Sequence, residues 1–144
     1  MFKTIRTRRG LVGTAAALGV LAAGVVGGVA IADDSTVKAK APHAQASALV
    51  NTDGSRLYSK GIKSLTKPKT GEYCVTFDDA TGIKVDRSTP VATLYAIEGT
   101  APWGWTVFVT TYPTQACGNA VDTLTVFTGS NSGAADSPFF LYVP

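Results

Sequence analysis

From Ala48 onward the chain consists of short β-prone segments separated by turn residues, and this alternation restricts it to an all-β fold. The last segment, Pro138–Val143, alternates so that Phe139 and Leu141 share one side of a strand. No apolar residues recur at helical spacing in this part of the chain. We therefore predict one β-sandwich or small barrel of about seven antiparallel strands over residues 48–144.

Several segments of this region carry more specific expectations. Val91–Ile97 is apolar or β-prone at every position, which is typical of a strand covered on both faces. Ile83–Asp86 is predicted as a short strand and Lys67–Gly71 as a turn. Gly61 interrupts the segment Arg56–Thr66 and is expected to mark a β-bulge.

Residues 1–32 have the organisation of an export signal. The run Leu11–Ala32 contains no charged residue and ends on two alanines in the small-x-small pattern that a signal peptidase accepts. Cleavage is therefore predicted between Ala32 and Asp33, followed by a flexible leader over residues 33–47. The cationic residues that precede the run are Lys3, Arg6, Arg8 and Arg9.

Two alternatives for the N-terminal segment stay open. A run of about twenty apolar residues suffices to span a bilayer, so an uncleaved signal would tether the domain to the membrane. The segment Thr7–Val12 contains adjacent arginines and also resembles a twin-arginine export signal, so the general secretion route and the folded-export route are not distinguished. In both cases the domain is expected outside the cytoplasm.

The net charge excludes one class of partner. The whole chain has 13 basic and 10 acidic residues, and four of the basic ones lie in residues 1–32. The remaining chain is therefore close to neutral, with one more acidic than basic residue. No nucleic-acid partner is expected, and contact with a membrane is expected only through the export signal.

The chain contains two cysteines, Cys74 and Cys117, and both lie in the predicted domain. An even number of cysteines in an exported chain predicts a disulfide. Metal binding or nucleophilic chemistry would need further ligands or a base, and the only histidine is His43 in the predicted leader. We expect a structural disulfide, no metal and no cofactor.

Carboxylate chemistry is harder to exclude. Asp78, Asp79, Asp86 and Glu98 are the candidates for a pair of carboxylates that would flank a glycosidic bond. The simpler interpretation is that these residues begin or end turns. No catalytic residue is assigned.

The segment Thr100–Trp105 is the most suggestive surface in the sequence. Trp103 and Trp105 are two positions apart, so in an extended segment they would point to the same side. With Tyr112 nearby they would form an aromatic platform that stacks on sugar rings or anchors a protein partner. The alternative is that the tryptophans cover the core at a strand end.

The order of turn and strand motifs resembles a family of small secreted bacterial β-modules. The family pattern is V-N-x-D-G, then K/R-G-[VI]-x-S, then G-x-Y-C, then a closing P-F-x-[VL] strand. The resemblance implies a secreted, disulfide-linked, all-β module and implies no catalytic residue. The matching residues here are Val50–Gly54, Lys60–Ser64, Gly71–Cys74 and Pro138–Leu141.

These observations lead to one main hypothesis and three alternatives. The main hypothesis is a secreted, non-enzymatic module that binds an extracellular surface, glycan or protein. The alternatives are a secreted protease inhibitor that presents a rigid loop containing Pro102, a small carboxylate-based hydrolase, and a protein that assembles with copies of itself.

Overall fold

The computed structural model describes residues 29–30, 38–97 and 103–144 of the chain. This part of the chain contains strands and single 3-10 turns, and none of its elements is a helix that has the length and hydrophobicity to cross a membrane. The strands are β1 (Val29–Ala30), β2 (Ala46–Val50), β3 (Arg56–Lys60), β4 (Ile62–Lys69), β5 (Glu72–Phe77), β6 (Val91–Leu94), β7 (Trp105–Thr110), β8 (Thr123–Ser130), β9 (Gly133–Ala134) and β10 (Phe139–Val143). The 3-10 turns are Asp79–Thr81, Val85–Arg87 and Gln115–Cys117.

The strands form two antiparallel sheets. One sheet has six strands in the order β1-β4-β5-β8-β7, with β9 paired to β8, and the other has four strands in the order β3-β2-β10-β6. The two sheets pack on each other through side chains that alternate along each strand. The predicted all-β class is therefore confirmed, and the architecture is a β-sandwich.

The core lies between the two sheets. Phe139, Leu141 and Val143 of β10 contribute to it from the four-stranded sheet, and Tyr73 and Val75 of β5 face them from the six-stranded sheet. The rings of Tyr73 and Phe139 meet edge to face, with 5.1 Å between their centroids. The C-terminal strand is thus central, since β10 pairs with β2 on one side and β6 on the other.

A hydrogen-bond network closes one end of the sandwich around Asp136. The carboxylate of Asp136 accepts from the backbone N–H of Gly71 at 2.7 Å and pairs with the Lys67 ammonium at 2.9 Å. The Tyr73 hydroxyl donates to the Thr52 carbonyl at 3.0 Å and lies 3.4 Å from Asp136. Three separate segments of the chain are therefore tied together at this end.

Gly61 is a corner between the two sheets, because the chain leaves β3 in the four-stranded sheet and enters β4 in the six-stranded sheet. Its φ angle is +67°, and a Cβ atom at this position would overlap the carbonyl oxygen of Gln45. The prediction of a β-bulge within one strand was wrong, because the chain turns at Gly61 from one sheet into the other. Glycine satisfies both the backbone angle and the close approach.

Three local predictions were wrong. Ile83–Asp86 is not a strand, since Val85–Arg87 forms a 3-10 turn that inserts only Val85 into the core. Val91–Ile97 is not covered on both faces, because Val91 and Thr93 are exposed on the outer side, and its strand ends at Leu94 at the edge of the sheet. The predicted turn Lys67–Gly71 is shorter, since β4 continues to Lys69.

The C-terminal part of the predicted leader is packed on the domain. The backbone of Ala39 donates to Ser59 at 3.2 Å, Gln45 donates to Val143 at 2.9 Å, and β2 begins at Ala46. The predicted export signal lies outside the described residues, except Val29–Ala30, which pair with β4. The predicted cleavage site between Ala32 and Asp33 and the leader residues 33–37 also lie outside them.

Candidate binding surface

The outer side of the four-stranded sheet is built by the alternation of its central strand. In β10, Phe139, Leu141 and Val143 are buried in the core, so Phe140 and Tyr142 point away from it. Most antiparallel sheets have polar residues on their outer side. This sheet instead presents aromatic rings there.

The strand register brings further apolar side chains beside these two rings. Phe140 lies opposite Leu49 on β2 and Thr93 on β6, and Leu49 lies opposite Tyr58 on β3. Adjacent strands are about 4.8 Å apart, so this row spans about 14 Å. We call the surface the aromatic face, and it comprises Leu49, Tyr58, Val91, Tyr95, Phe140 and Tyr142.

The aromatic face consists of a packed lower layer and accessible rings. Leu49 is only 3 % exposed although it points outward, whereas Tyr142 is 41 % and Val91 is 59 % exposed. The ring of Tyr95 stands edge to face against Phe140, with centroids 5.2 Å apart. Mutual contact fixes the rings in place and still leaves an apolar patch open to solvent.

Among the described residues, the aromatic face is almost free of charge. The charged side chain nearest to it along the strand pairing is Lys60, which follows Tyr58 by two positions on β3 and lies opposite Ser47. Its ammonium donates to the carbonyls of Ala44 at 2.6 Å and Ala41 at 3.0 Å. Lys60 therefore holds the segment before β2 and does not extend over the rings.

The structure separates the three aromatic residues that the sequence analysis grouped. Trp103 and Gly104 lie in a turn, and Gly104 has a φ of +75°. The segment is therefore not extended, and the prediction that Trp103 and Trp105 point to the same side was based on an extended segment. Trp103 is 88 % exposed, whereas Trp105 begins β7 and is 37 % exposed. Thr100–Pro102, the first half of the predicted loop, lies outside the described residues.

Tyr112 is 79 % exposed but lies beyond the opposite end of β7 from Trp105. A strand advances about 3.3 Å per residue, so β7 alone separates them by about 17 Å. Trp103, Trp105 and Tyr112 therefore do not form one platform. Each remains an exposed aromatic residue that can contribute to binding separately.

The disulfide prediction is confirmed. Cys74 of β5 and Cys117 of the turn Gln115–Cys117 are bonded, with their Cα atoms 5.6 Å apart. The hydroxyl of Thr125 donates to the Cys117 sulfur at 3.1 Å. The bridge ties the turn to the outer side of the six-stranded sheet, which is the side opposite the aromatic face.

The candidate carboxylates are only partly brought together. Asp78 and Asp79 line a small pocket of about 230 Å³ with Asp122, which the sequence analysis did not consider. Asp79 pairs with Lys63 at 2.9 Å, and this hydrogen bond raises the pKa of Lys63. Asp86 lies in the next turn and does not line this pocket, and Glu98 is outside the described residues.

The aromatic face was not predicted, although part of its signal is in the sequence. The alternation of Pro138–Val143 places Phe140 and Tyr142 on the side away from the core. The strand order that sets Tyr58 and Leu49 beside them depends on pairing between distant segments. No local pattern encodes that pairing.

Comparisons with protein-family models, with curated proteins and with solved structures return no match to this chain.

Proposed function

We propose that the protein is a secreted, non-enzymatic module that binds the flat faces of a neutral, insoluble polysaccharide through its aromatic face. The observation that carries the proposal is a group of aromatic and apolar side chains on an open sheet surface, with Tyr142 at 41 % exposure. Contiguous exposed apolar patches on small proteins mark interaction sites. A flat sheet surface matches an extended polymer better than a small ligand, which needs a concave site.

The chemistry of the aromatic face favours a carbohydrate. Tyrosine presents an apolar ring with a hydroxyl at its edge, and the C–H face of a sugar ring packs on such a surface while its hydroxyls remain hydrated. Tyr58, Tyr95 and Tyr142 provide this combination. Lys60 is the nearest charge among the described residues, and its ammonium is held by the carbonyls of Ala41 and Ala44. An anionic polymer would need cationic partners that this surface does not present.

The extracellular location is part of the proposal. A disulfide is compatible with an oxidising compartment, and the sequence of residues 1–32 predicts export. A protein that is released from the cell, or tethered outside it, meets polysaccharides of the cell surface or the surroundings. Intact-mass measurement of the protein from culture medium tests cleavage after Ala32.

Sedimentation with insoluble cellulose and chitin tests the proposed ligand class. The double variant Tyr58→Ala/Tyr142→Ala should lose most of the retention that the unaltered protein shows. The matched control is Trp103→Ala/Tyr112→Ala, which removes two aromatic residues that are more exposed and lie off the aromatic face. If only the control variant loses retention, the polysaccharide binds at Trp103 and Tyr112 and not at the aromatic face.

Self-association is a second candidate, and the edge strand β6 favours it. Val91–Leu94 contains no charged residue, and charges are the usual protection of an edge strand against pairing with another chain. Val91→Lys would introduce such a charge beside Tyr142. If sedimentation velocity finds a dimer that this substitution converts to monomer, the aromatic face belongs to an interface between copies of the chain.

A further inference from the structure

An open groove crosses the outer side of the six-stranded sheet, opposite the aromatic face. It lies between β4 and β5 on one side and the turn Gln115–Cys117 on the other, and has a volume of about 460 Å³. This volume lies within the range of small-molecule sites. Side chains that line it include Ser64, Thr66, Pro68, Thr76, Gln115 and Thr123.

The wall of this groove is fixed before any ligand arrives. The turn is bonded to β5 through Cys74 and Cys117, and the Thr114 and Thr125 hydroxyls are hydrogen-bonded at 2.8 Å. The Thr114 hydroxyl also accepts from the backbone N–H of Cys117 at 3.3 Å. A site whose backbone is ordered in the free protein loses less conformational entropy on binding than a mobile one.

The floor of the groove is a row of hydroxyl groups. Thr76 of β5 lies directly opposite Ser64 of β4 and Thr123 of β8, so three neighbouring strands each place one hydroxyl-bearing residue in the row. The hydroxyls of Ser64 and Thr76 are 2.5 Å apart. Each hydroxyl both donates and accepts hydrogen bonds, so the paired Ser64 and Thr76 hydroxyls keep further capacity for a ligand, whereas Thr123 is nearly buried.

The lining indicates the class of ligand. Among the described residues that line the groove none carries an ionisable side chain, which excludes recognition of phosphate or carboxylate by charge. The apolar part is limited to the Pro68 ring, Ala116 and the disulfide, too little for a mainly hydrophobic molecule. We propose that this hydroxyl groove binds a neutral saccharide of one or two sugar units, which hydrogen-bonds to the hydroxyl row and to the Gln115 amide.

Backbone amide NMR shifts of the protein, titrated with neutral mono- and disaccharides at millimolar concentration, test this site. We expect shifts in the amides of Ser64, Thr76 and residues 115–118 for at least one sugar. Thr76→Val keeps the shape of the side chain and removes its hydroxyl, and should weaken that binding about tenfold. Thr106→Val is the matched control, because Thr106 lies on the same outer side of β7 and does not line the groove.

A second pair of variants keeps the test independent of Thr76, which is partly buried. Gln115→Ala changes an exposed residue of the groove wall and should also weaken binding, whereas Gln45→Ala changes an exposed glutamine away from the groove. Equal effects of each variant and its control, or an absence of shifts in the groove amides for every sugar, would overturn the proposal. The aromatic face lies on the opposite side of the sandwich, so the sedimentation test with cellulose or chitin is independent of the result for the hydroxyl groove.

Discussion

The two outer sides of the sandwich use their side chains in opposite ways. Around the disulfide, outward residues of the six-stranded sheet are engaged within the protein, since Cys74 is bonded to Cys117 and the Thr125 hydroxyl bonds to Thr114 and to the Cys117 sulfur. Phe108, farther from the bridge on β7, is 63 % exposed. On the four-stranded sheet, Phe140 and Tyr142 stack beside other apolar residues and face solvent. The disulfide region of the six-stranded sheet thus stabilises the fold through specific bonds. The exposed rings of the four-stranded sheet make no such bond.

A charge-poor part of the chain supplies two of the four strands that carry the aromatic face. Every basic residue after the predicted export signal lies between Lys38 and Arg87, and the chain from Ser88 onward contains only three acidic residues, Glu98, Asp122 and Asp136. Strands β6 and β10 come from this nearly neutral half. A charge-poor surface that is also aromatic is costly to leave hydrated, which is the physical reason to expect a partner there.

Neighbouring phenylalanines of β10 give the sharpest comparison between core and surface. Phe139→Ala should lower the free energy of unfolding by about 3–5 kcal/mol, because its ring is fully buried against Tyr73. Phe140→Ala should lower it by about 1 kcal/mol, since its ring is half-buried on the outer side. Urea unfolding measures both values, and equal losses would mean that the aromatic face is part of the core.

Removal of the disulfide tests the opposite side of the molecule. The loop closed by Cys74 and Cys117 has a sequence separation of 43 residues, for which loop entropy gives about 4 kcal/mol. Cys74→Ala/Cys117→Ala should lose about that amount in urea unfolding and, below the unfolding transition, should keep its retention by polysaccharide. Loss of retention in the folded variant would contradict the separation of the two sides.

The parts of the structure that the sequence predicted correctly depend on local alternation or on simple chemistry. The β10 pattern of buried Phe139 and Leu141 follows from a period of two, and the bond between Cys74 and Cys117 follows from two cysteines in a chain that is predicted to be exported. The turn at Asp53–Gly54 is also local, and Gly54 has a positive φ of 88°. Each of these features is determined by residues within a few positions of one another or by covalent chemistry.

The features that the sequence did not predict depend on which strands become neighbours. Val91–Leu94 has the composition of a buried strand, but it pairs only with β10 and is left at the edge of its sheet. The aromatic face needs Tyr58, Leu49 and Phe140 in one row, and these residues come from both ends of the domain. The segment Trp103–Trp105 is a local exception, since Gly104 adopts a left-handed φ angle that interrupts the extended geometry.

The corner at Gly61 tests how the two sheets are held in position, and Gly82 is its matched control. Both glycines have positive φ, +67° and +66°, so alanine is strained equally by the backbone at each position. An added Cβ at Gly61 would overlap the Gln45 carbonyl and lie 2.9 Å from Thr81, whereas at Gly82 it meets nothing within 4 Å. Gly82→Ala should cost about 1–2 kcal/mol and Gly61→Ala about 3 kcal/mol in urea unfolding. Equal costs would show that the corner adjusts freely.

The smallest expected effect on stability concerns the hydroxyl of Tyr73. The ring of Tyr73 points inward from the six-stranded sheet, and its hydroxyl is hydrogen-bonded to the Thr52 carbonyl at the end of the sandwich. Burial, reinforced by the neighbouring carboxylate of Asp136, raises the pKa of Tyr73 well above its usual value near 10. In the unfolded chain this hydroxyl ionises near pH 10, so its contribution to stability is complete below that pH and is lost as the pH rises further.

Tyr73→Phe separates this contribution from those of other groups that titrate in the alkaline range. At neutral pH the variant should be about 1 kcal/mol less stable, because the hydrogen bond to the Thr52 carbonyl is lost and that acceptor is left without the hydroxyl. Above pH 10 the stability of the unaltered protein should fall more steeply than that of the variant, so the two curves converge. Urea midpoints measured from pH 7 to pH 11 give both curves, and parallel curves would mean that Tyr73 ionises equally in the folded and unfolded states and that this end of the sandwich is open to water.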